Sequence, residues 1–309
     1  MQHRALLACG LTFAAVLSAP AANAAQAPAH SPSAPAAPAA VRPHPVTRSI
    51  QIPMEALVNF RDQGGFRTVY GTRVRTGLLF RSESLPKATA NDQAAIAALG
   101  VTQVIDFRTP AEVRIDGADR LPPGLTATAM PVDDNGMFAT MTGAIASGDP
   151  VQQEALLGGG KGAQIMKDFY RTLVSDPDSR ARFGAVLKSV ASGQRVLFHC
   201  TAGKDRTGWL GYVLLRSLGV SHSDALADYL ASNTFRAAAD ARVREQLRAT
   251  GLMRDPDLLI PLQRVEPEYL AVAIDEAHRR YGSFANFLKR GLGIDAGTRA
   301  ALLTRMTTH

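Results

Sequence analysis

The sequence predicts an α/β protein with a central, mostly parallel sheet flanked by helices and a helical carboxy-terminal region. Three passages from strand to helix carry that expectation. Residues 78–81 lead to a helical stretch over 89–99, residues 101–107 lead to a helix start at Thr109-Pro110, and residues 196–198 lead to a helix over 206–218. Short apolar strands alternating with helices suit a sheet covered on both faces.

Before that unit come two segments of other composition. Arg4 precedes an apolar run over 5–16 and small residues ending Ala22-Asn23-Ala24, the pattern of a secretory signal peptide (1–24) cleaved before Ala25. The run is too short for a membrane-spanning helix, so the mature chain is expected to carry no integral span. Leu6-Leu7-Ala8-Cys9 also suggests a lipoprotein box, but most of the apolar segment lies beyond Cys9, against the order such a signal requires. Residues 25–46 are nearly all Ala and Pro with a few Ser and His, a composition that makes a linker and not a core. Residues 47–309 form the globular unit.

The net charge of +7 suits anionic partners such as phosphates, and equally a solvated basic surface. The chain has 2 cysteines, and Cys9 leaves with the signal peptide. Cys200 would then be the sole thiol of an exported protein, which excludes an internal disulfide framework. Gly158-Gly159-Gly160-Lys161-Gly162 is not a nucleotide-binding loop. Ala155 stands where its first Gly should be, and Gly162 where Ser or Thr should follow the Lys.

Asn59-Phe60-Arg61-Asp62-Gln63-Gly64-Gly65 opens the globular unit, and Tyr70-Gly71 marks a turn between alternating runs, giving short strands around 66–74 and 78–81. Arg61 and Asp62 are expected to pair with each other or to cap a turn. Helix 89–99 stops at Gly100. The strand 101–107 ends at Asp106-Phe107-Arg108, and Thr109 with Glu112 forms a capping box around Pro110. That places Asp106 at a strand's carboxyl end, where α/β sheets bind ligands. Asp106 then faces a pocket, as an acid or as a partner orienting Arg206, or it holds a loop by hydrogen bonds. Asp133 and Asp134 follow a further short apolar run. Ile165, Phe169 and Leu173 mark one helix face, Asp176 caps a helix over 177–190, and Ser223, Asp257, Ser283 and Asp295 mark helix starts in 222–309.

The chemistry concentrates in 196–208, Val-Leu-Phe-His-Cys-Thr-Ala-Gly-Lys-Asp-Arg-Thr-Gly. A loop between a buried strand and a helix N-terminus turns backbone N–H groups inward and makes a cradle for a tetrahedral dianion. Arg206 can clamp two oxygens of that anion, and the same positive field favours the thiolate of Cys200 as a nucleophile.

Cys200, Arg206 six positions on and the following Thr207 resemble the signature of the protein tyrosine phosphatase superfamily. The form HCTAGKDRTG is most similar to bacterial tyrosine and dual-specificity phosphatases, including secreted mycobacterial-type tyrosine/phosphoinositide phosphatases. A second match, NFRD-x-GG followed by G-L-L-x-R-S, resembles the start of the same family. The resemblance implies a protein tyrosine phosphatase-like fold and hydrolysis of phosphate monoesters through a phosphocysteine, with no metal and no cofactor. It implies Cys200 as nucleophile, Arg206 as phosphate clamp and Asp205 as proton donor ahead of Asp133 or Asp134. Thr201, Ala202, Gly203 and Lys204 would line the phosphate, and Thr207 would donate to the departing thiolate. His199 is read as orienting the loop. Lys204 adds a charge suited to multiply phosphorylated substrates, and residues 222–262 lie where relatives carry a helical lid. The expected partners are a phosphorylated protein or a phosphoinositide, with no nucleic acid. Two other readings stand beside this one: a phosphate-recognising binding module without turnover, and arsenate reduction or sulfur transfer, the former disfavoured by a single mature thiol.

Overall fold

Buried side chains alternate along each central strand, and that alternation builds two separate cores. The computed structural model describes residues 49–309. The signal peptide expected at 1–24 and the linker expected at 25–46 lie outside the described residues. The strands are β1 (Ile50–Gln51), β2 (Arg61–Asp62), β3 (Arg73–Val74), β4 (Leu79–Ser82), β5 (Gln103–Asp106), β6 (Ala127–Ala129), β7 (Val196–His199) and β8 (Thr307–Thr308). Six form one sheet in the order β1-β2-β4-β7-β5-β6, and β3 pairs with β8. The pairings β4–β7, β7–β5 and β5–β6 are parallel, while β1–β2 and β2–β4 are antiparallel. The expected α/β class with a mostly parallel sheet holds.

Leu79, Ile105, Val196 and Phe198 point into the larger core. Phe80, Val104 and Leu197 point into the smaller one. Side chains one residue apart face opposite sides of a sheet, so both faces need cover. α1 (Ala90–Ala98) covers the smaller core through Ile96. After α2 (Pro110–Asp116), α3 (Met137–Ser147) and α4 (Pro150–Leu157), the larger core is covered by α5 (Lys161–Ser175), α6 (Pro177–Ala191) and α7 (Arg206–Ser217). α7 is buried nearly all round, as its sequence predicts. The 28-residue α8 (His222–Ala249), α9 (Pro267–Tyr281) and α10 (Ala296–Met306) complete the helical carboxy-terminal region.

Several local expectations need correction. The strand expected around 66–74 shrinks to β3 and two isolated bridges, Arg67–Arg73 and Thr68–Val220, because Gly71 (φ 80°) folds the segment back on itself. The cap of α8 is Ser221 and not Ser223, and the short 3-10 turn Pro256–Leu259 is capped by Asp255 and not Asp257. Ser283 and Asp295 cap helices as expected. Gly158–Gly160 joins α4 to α5, whose first residue is Lys161. The hairpin of α3 and α4 carries no strong period in the sequence. No helix among the described residues is long and apolar enough to cross a membrane.

Candidate active site

The parallel register brings Ser82 of β4, His199 of β7 and Asp106 of β5 level at one edge of the sheet. There the chain leaves β7 at Cys200 and turns through 201–205 into α7. The carbonyls of this turn are tied outward. Thr201 O accepts from Ser84 N at 3.1 Å, and Gly203 O accepts from Arg81 Nη2 at 2.9 Å. Ala202 O accepts from Asn59 Nδ2 at 3.0 Å and from Arg236 Nη1 at 3.4 Å. In a planar trans peptide the N–H points opposite to the C=O, so the N–H groups of Ala202, Gly203 and Lys204 face into the loop. No N–H from Thr201 to Arg206 donates to another group among the described residues. The Asp205 side chain, at the N-cap of α7, leaves that helix end uncapped. Unsatisfied donors gathered at a helix N-terminus are an anion site. Gly203 is required here: its φ is 66°, and a Cβ would lie 2.2 Å from Ser82 O.

A buried charge cluster anchors the outward ties. Asp228 on α8 accepts from Arg81 Nη1 at 2.7 Å, Arg61 Nε at 3.1 Å and Gln63 Nε2 at 2.7 Å, and also from Ser49 Oγ. Both arginines and the aspartate have no exposed side-chain surface. Burial pushes the Asp228 carboxyl up, but the two guanidiniums outweigh it and hold it well below the usual range. Arg61 therefore pairs with Asp228 across the fold and not with Asp62. Asp62 instead accepts from Gly64 N and Gly77 N, at 2.7 and 2.6 Å.

Arg206 is the first residue of α7 and is buried. Its Nη1 donates to Glu112 Oε2 at 2.7 Å, Phe107 O at 3.1 Å and Val132 O at 3.2 Å, and its Nη2 donates to Glu112 Oε1. Nε is buried with no partner. One edge of the guanidinium is thus spent on positioning, while Nε and the second Nη2 hydrogen are left for an anion. Glu112 also accepts from Thr201 Oγ1 at 2.6 Å and from Thr109 N at 2.7 Å. Burial alone would raise its carboxyl, but Arg206 and these donors lower it to about 2. The sequence marks Glu112 only as half of a capping box. Its position six residues after Asp106, in the first turn of the helix that starts at the same sheet edge, is the signal that could have found it.

Asp106 does not orient Arg206. Its carboxylate is held by Arg108, with Nη2 at 2.9 Å from Oδ2 and Nε at 3.0 Å from both oxygens. Arg108 also donates to Asp119 Oδ1 at 2.9 Å, and His199 Nε2 lies 2.9 Å from Asp119 Oδ2. Asp106, Asp119 and His199 present donor atoms within 4.8 Å of one another, a spacing open to a metal. The Arg108 guanidinium already supplies positive charge to both carboxylates, so the group reads as a brace behind the loop. His199 is fully buried in it, directly before Cys200 in the chain.

Asp205 accepts from Lys204 Nζ at 2.9 Å (Oδ1) and 2.7 Å (Oδ2), and from Tyr170 OH at 3.1 Å (Oδ1). Asp134 lies just before α3 and accepts from Gly136 N at 3.0 Å and Phe138 N at 2.9 Å. Burial raises its carboxyl against those bonds and against Arg206. Asp133 is exposed and accepts from Asn135 N at 3.0 Å. Thr207 Oγ1 is buried and makes no hydrogen bond, so its expected bond to Cys200 Sγ is not formed here. Cys200 itself is 1 % exposed at the floor of the loop.

A family model described as "Tyrosine phosphatase family" matches residues 52–308. The chain belongs to the tyrosine phosphatase family. It is accordingly a phosphatase. The chain is 30 % identical over 256 residues to a Cupriavidus necator protein carrying a tyrosine-protein phosphatase name, covering 81 % of this chain and 89 % of that one. It is 29 % identical over 273 residues to the triple specificity protein phosphatase PtpB of Mycobacterium tuberculosis, covering 80 % of this chain and 94 % of PtpB. A tyrosine-protein phosphatase of Nostoc commune is 30 % identical over 175 residues, covering 52 % of this chain and 50 % of that one.

Proposed function

We propose that this phosphatase works through a phosphocysteine formed at Cys200. The observation that carries the reading is the outward tying of three successive loop carbonyls, which leaves their partner N–H groups facing into the loop that begins at Cys200. The thiolate attacks phosphorus in line. The loop N–H groups and Arg206 hold the equatorial oxygens, where transition-state charge is spread. Asp205 protonates the departing oxygen, and water then releases phosphate. A substrate anion in the loop competes for the Lys204 ammonium and frees Asp205 Oδ2 from it. Within residues 222–262, α8 braces the outer side of the loop through Asp228 and Arg236, and the lid over its mouth is assigned to the remainder of that segment.

The substrate class we infer is phosphotyrosine in proteins, extended to phosphoserine, phosphothreonine or phosphoinositides; the relative PtpB is named a triple specificity protein phosphatase. Phosphate release measured side by side from peptides of each kind and from phosphoinositide headgroups is expected to include phosphotyrosine. Failure on phosphotyrosine with turnover elsewhere overturns the assignment.

The acid has its own test. Asp205→Asn should lower kcat by about 10²-fold for phenyl phosphate and far less for p-nitrophenyl phosphate, because a good leaving group needs no proton. If Asp134→Asn gives that pattern and Asp205→Asn does not, Asp134 is the donor.

Export follows from the amino-terminal sequence, with the periplasm or the exterior as destination. Amino-terminal sequencing of the native protein is expected to begin at Ala25; a retained Met1 would exclude cleavage.

A further inference from the structure

We propose that Tyr170 and Tyr229 form a hydroxyl chain that positions Asp205 for proton transfer, resting on the reading of Asp205 as the acid. Tyr229 OH donates to Tyr170 OH at 2.7 Å, and Tyr170 OH donates to Asp205 Oδ1 at 3.1 Å. A tyrosine hydroxyl has one hydrogen. Tyr229 OH also lies 3.4 Å from Glu266 O, but its bond to Tyr170 is much shorter and takes the hydrogen, so the Tyr170 proton is committed to Asp205. Both tyrosines are fully buried, and their rings meet edge-to-face at 6.2 Å. Phe169 and Tyr269 pack on Tyr170 at 5.8 and 5.9 Å, which holds the ring and so the position of its oxygen. Burial, then the charge of Asp205, pushes the Tyr170 phenol well up, so it stays a donor throughout turnover.

The consequence is an asymmetric carboxyl. Oδ1 takes Tyr170 and Lys204, while Oδ2 takes Lys204 alone. Oδ2 is then the oxygen that carries the transferable proton. As the S–P bond forms and the P–O bond to the leaving group breaks, that electron pair goes to the leaving oxygen, which takes the Oδ2 proton. In the second step Asp205 takes a proton from water as the water oxygen bonds phosphorus and the S–P bond breaks, returning the thiolate. The tyrosines act through Asp205 and do not touch the reacting atoms, so they are positioning residues.

Replacing each tyrosine with phenylalanine keeps the rings and removes the chain. With the full chain and an aryl phosphate series, Tyr170→Phe is expected to lower kcat/KM about tenfold for phenyl phosphate and little for p-nitrophenyl phosphate. Inhibition by inorganic phosphate should be unchanged, and no further selective loss should appear on an Asp205→Asn background. Tyr229→Phe should show a smaller effect of the same kind. It also serves as the test if Tyr170→Phe melts early. An equal loss across the series, a loss that persists in the double variant, or no loss overturns the proposal while Asp205→Asn keeps its selectivity. If Asp205→Asn itself shows no leaving-group selectivity, the acid assignment falls and takes the proposal with it.

Discussion

Cys200→Ser is expected to lower aryl phosphate turnover by at least about 10⁴-fold while inorganic phosphate still binds. The two halves of that result come from different parts of the loop. Binding rests on backbone N–H groups oriented from behind by Ser84, Asn59 and Arg81, and on the Arg206 guanidinium held by Glu112. None of these contacts involves sulfur. Attack rests on the thiolate alone. A serine hydroxyl needs a general base to become a nucleophile, and the adjacent imidazole cannot serve. His199 is fully buried, with Nε2 against Asp119 and Nδ1 3.7 Å from Asp106. In the wild type, acid quench during turnover should trap phosphate on the Cys200 peptide. Turnover of the serine variant within tenfold of wild type, or trapped phosphate on another residue, would remove Cys200 as the nucleophile.

The Cys loop was legible in the sequence because its chemistry is contiguous. Strand, nucleophile, glycine and arginine fall within thirteen residues, and the offset from Cys200 to Arg206 is dictated by one turn of backbone around one anion. The sheet was legible for the same reason, each central strand being a short apolar run next to a helix start. What supports the loop was not legible. Asp228 reaches Arg81 across 147 residues, Arg206 reaches Glu112 across 94, and Tyr170 reaches Asp205 across 35. Glu112 shows why. Its local role as a capping-box carboxylate accounts for the residue completely in sequence, yet the same two oxygens also take Thr201 and Arg206. Asp106 shows the converse. It stands at the expected sheet edge, but Arg108, two residues on, binds it first, and a pair so close in the chain outcompetes a distant arginine.

Glu112→Gln is expected to cost about 3 kcal/mol of folding stability at neutral pH and to lower kcat by about 10³-fold. The stability term comes from leaving a buried guanidinium without its counter-charge. One carboxylate oxygen becomes an NH₂ group, and every neighbour of Glu112 in this site (Arg206, Thr201 Oγ1, Thr109 N) is a donor. At least one donor then faces a donor. The kinetic term comes from geometry, since Arg206 presents Nε and part of Nη2 to an anion only while its other edge is pinned. The pH dependence has a definite sign. The folded carboxyl is lowered from the ordinary 4.5 to about 2, so its stabilisation is complete above about 4.5 and is lost as pH falls toward 2. Glutamine does not titrate. The stability gap between wild type and variant, read from thermal or denaturant unfolding, should therefore be constant from pH 7 to about 5 and narrow progressively below. Asp119 and Asp228 are also lowered, but they titrate in both proteins and cancel in the difference. A gap that stays constant to pH 3 would mean that Glu112 holds Arg206 by shape and not by charge. A variant with wild-type kcat would mean that the anion itself, and not Glu112, orients the arginine.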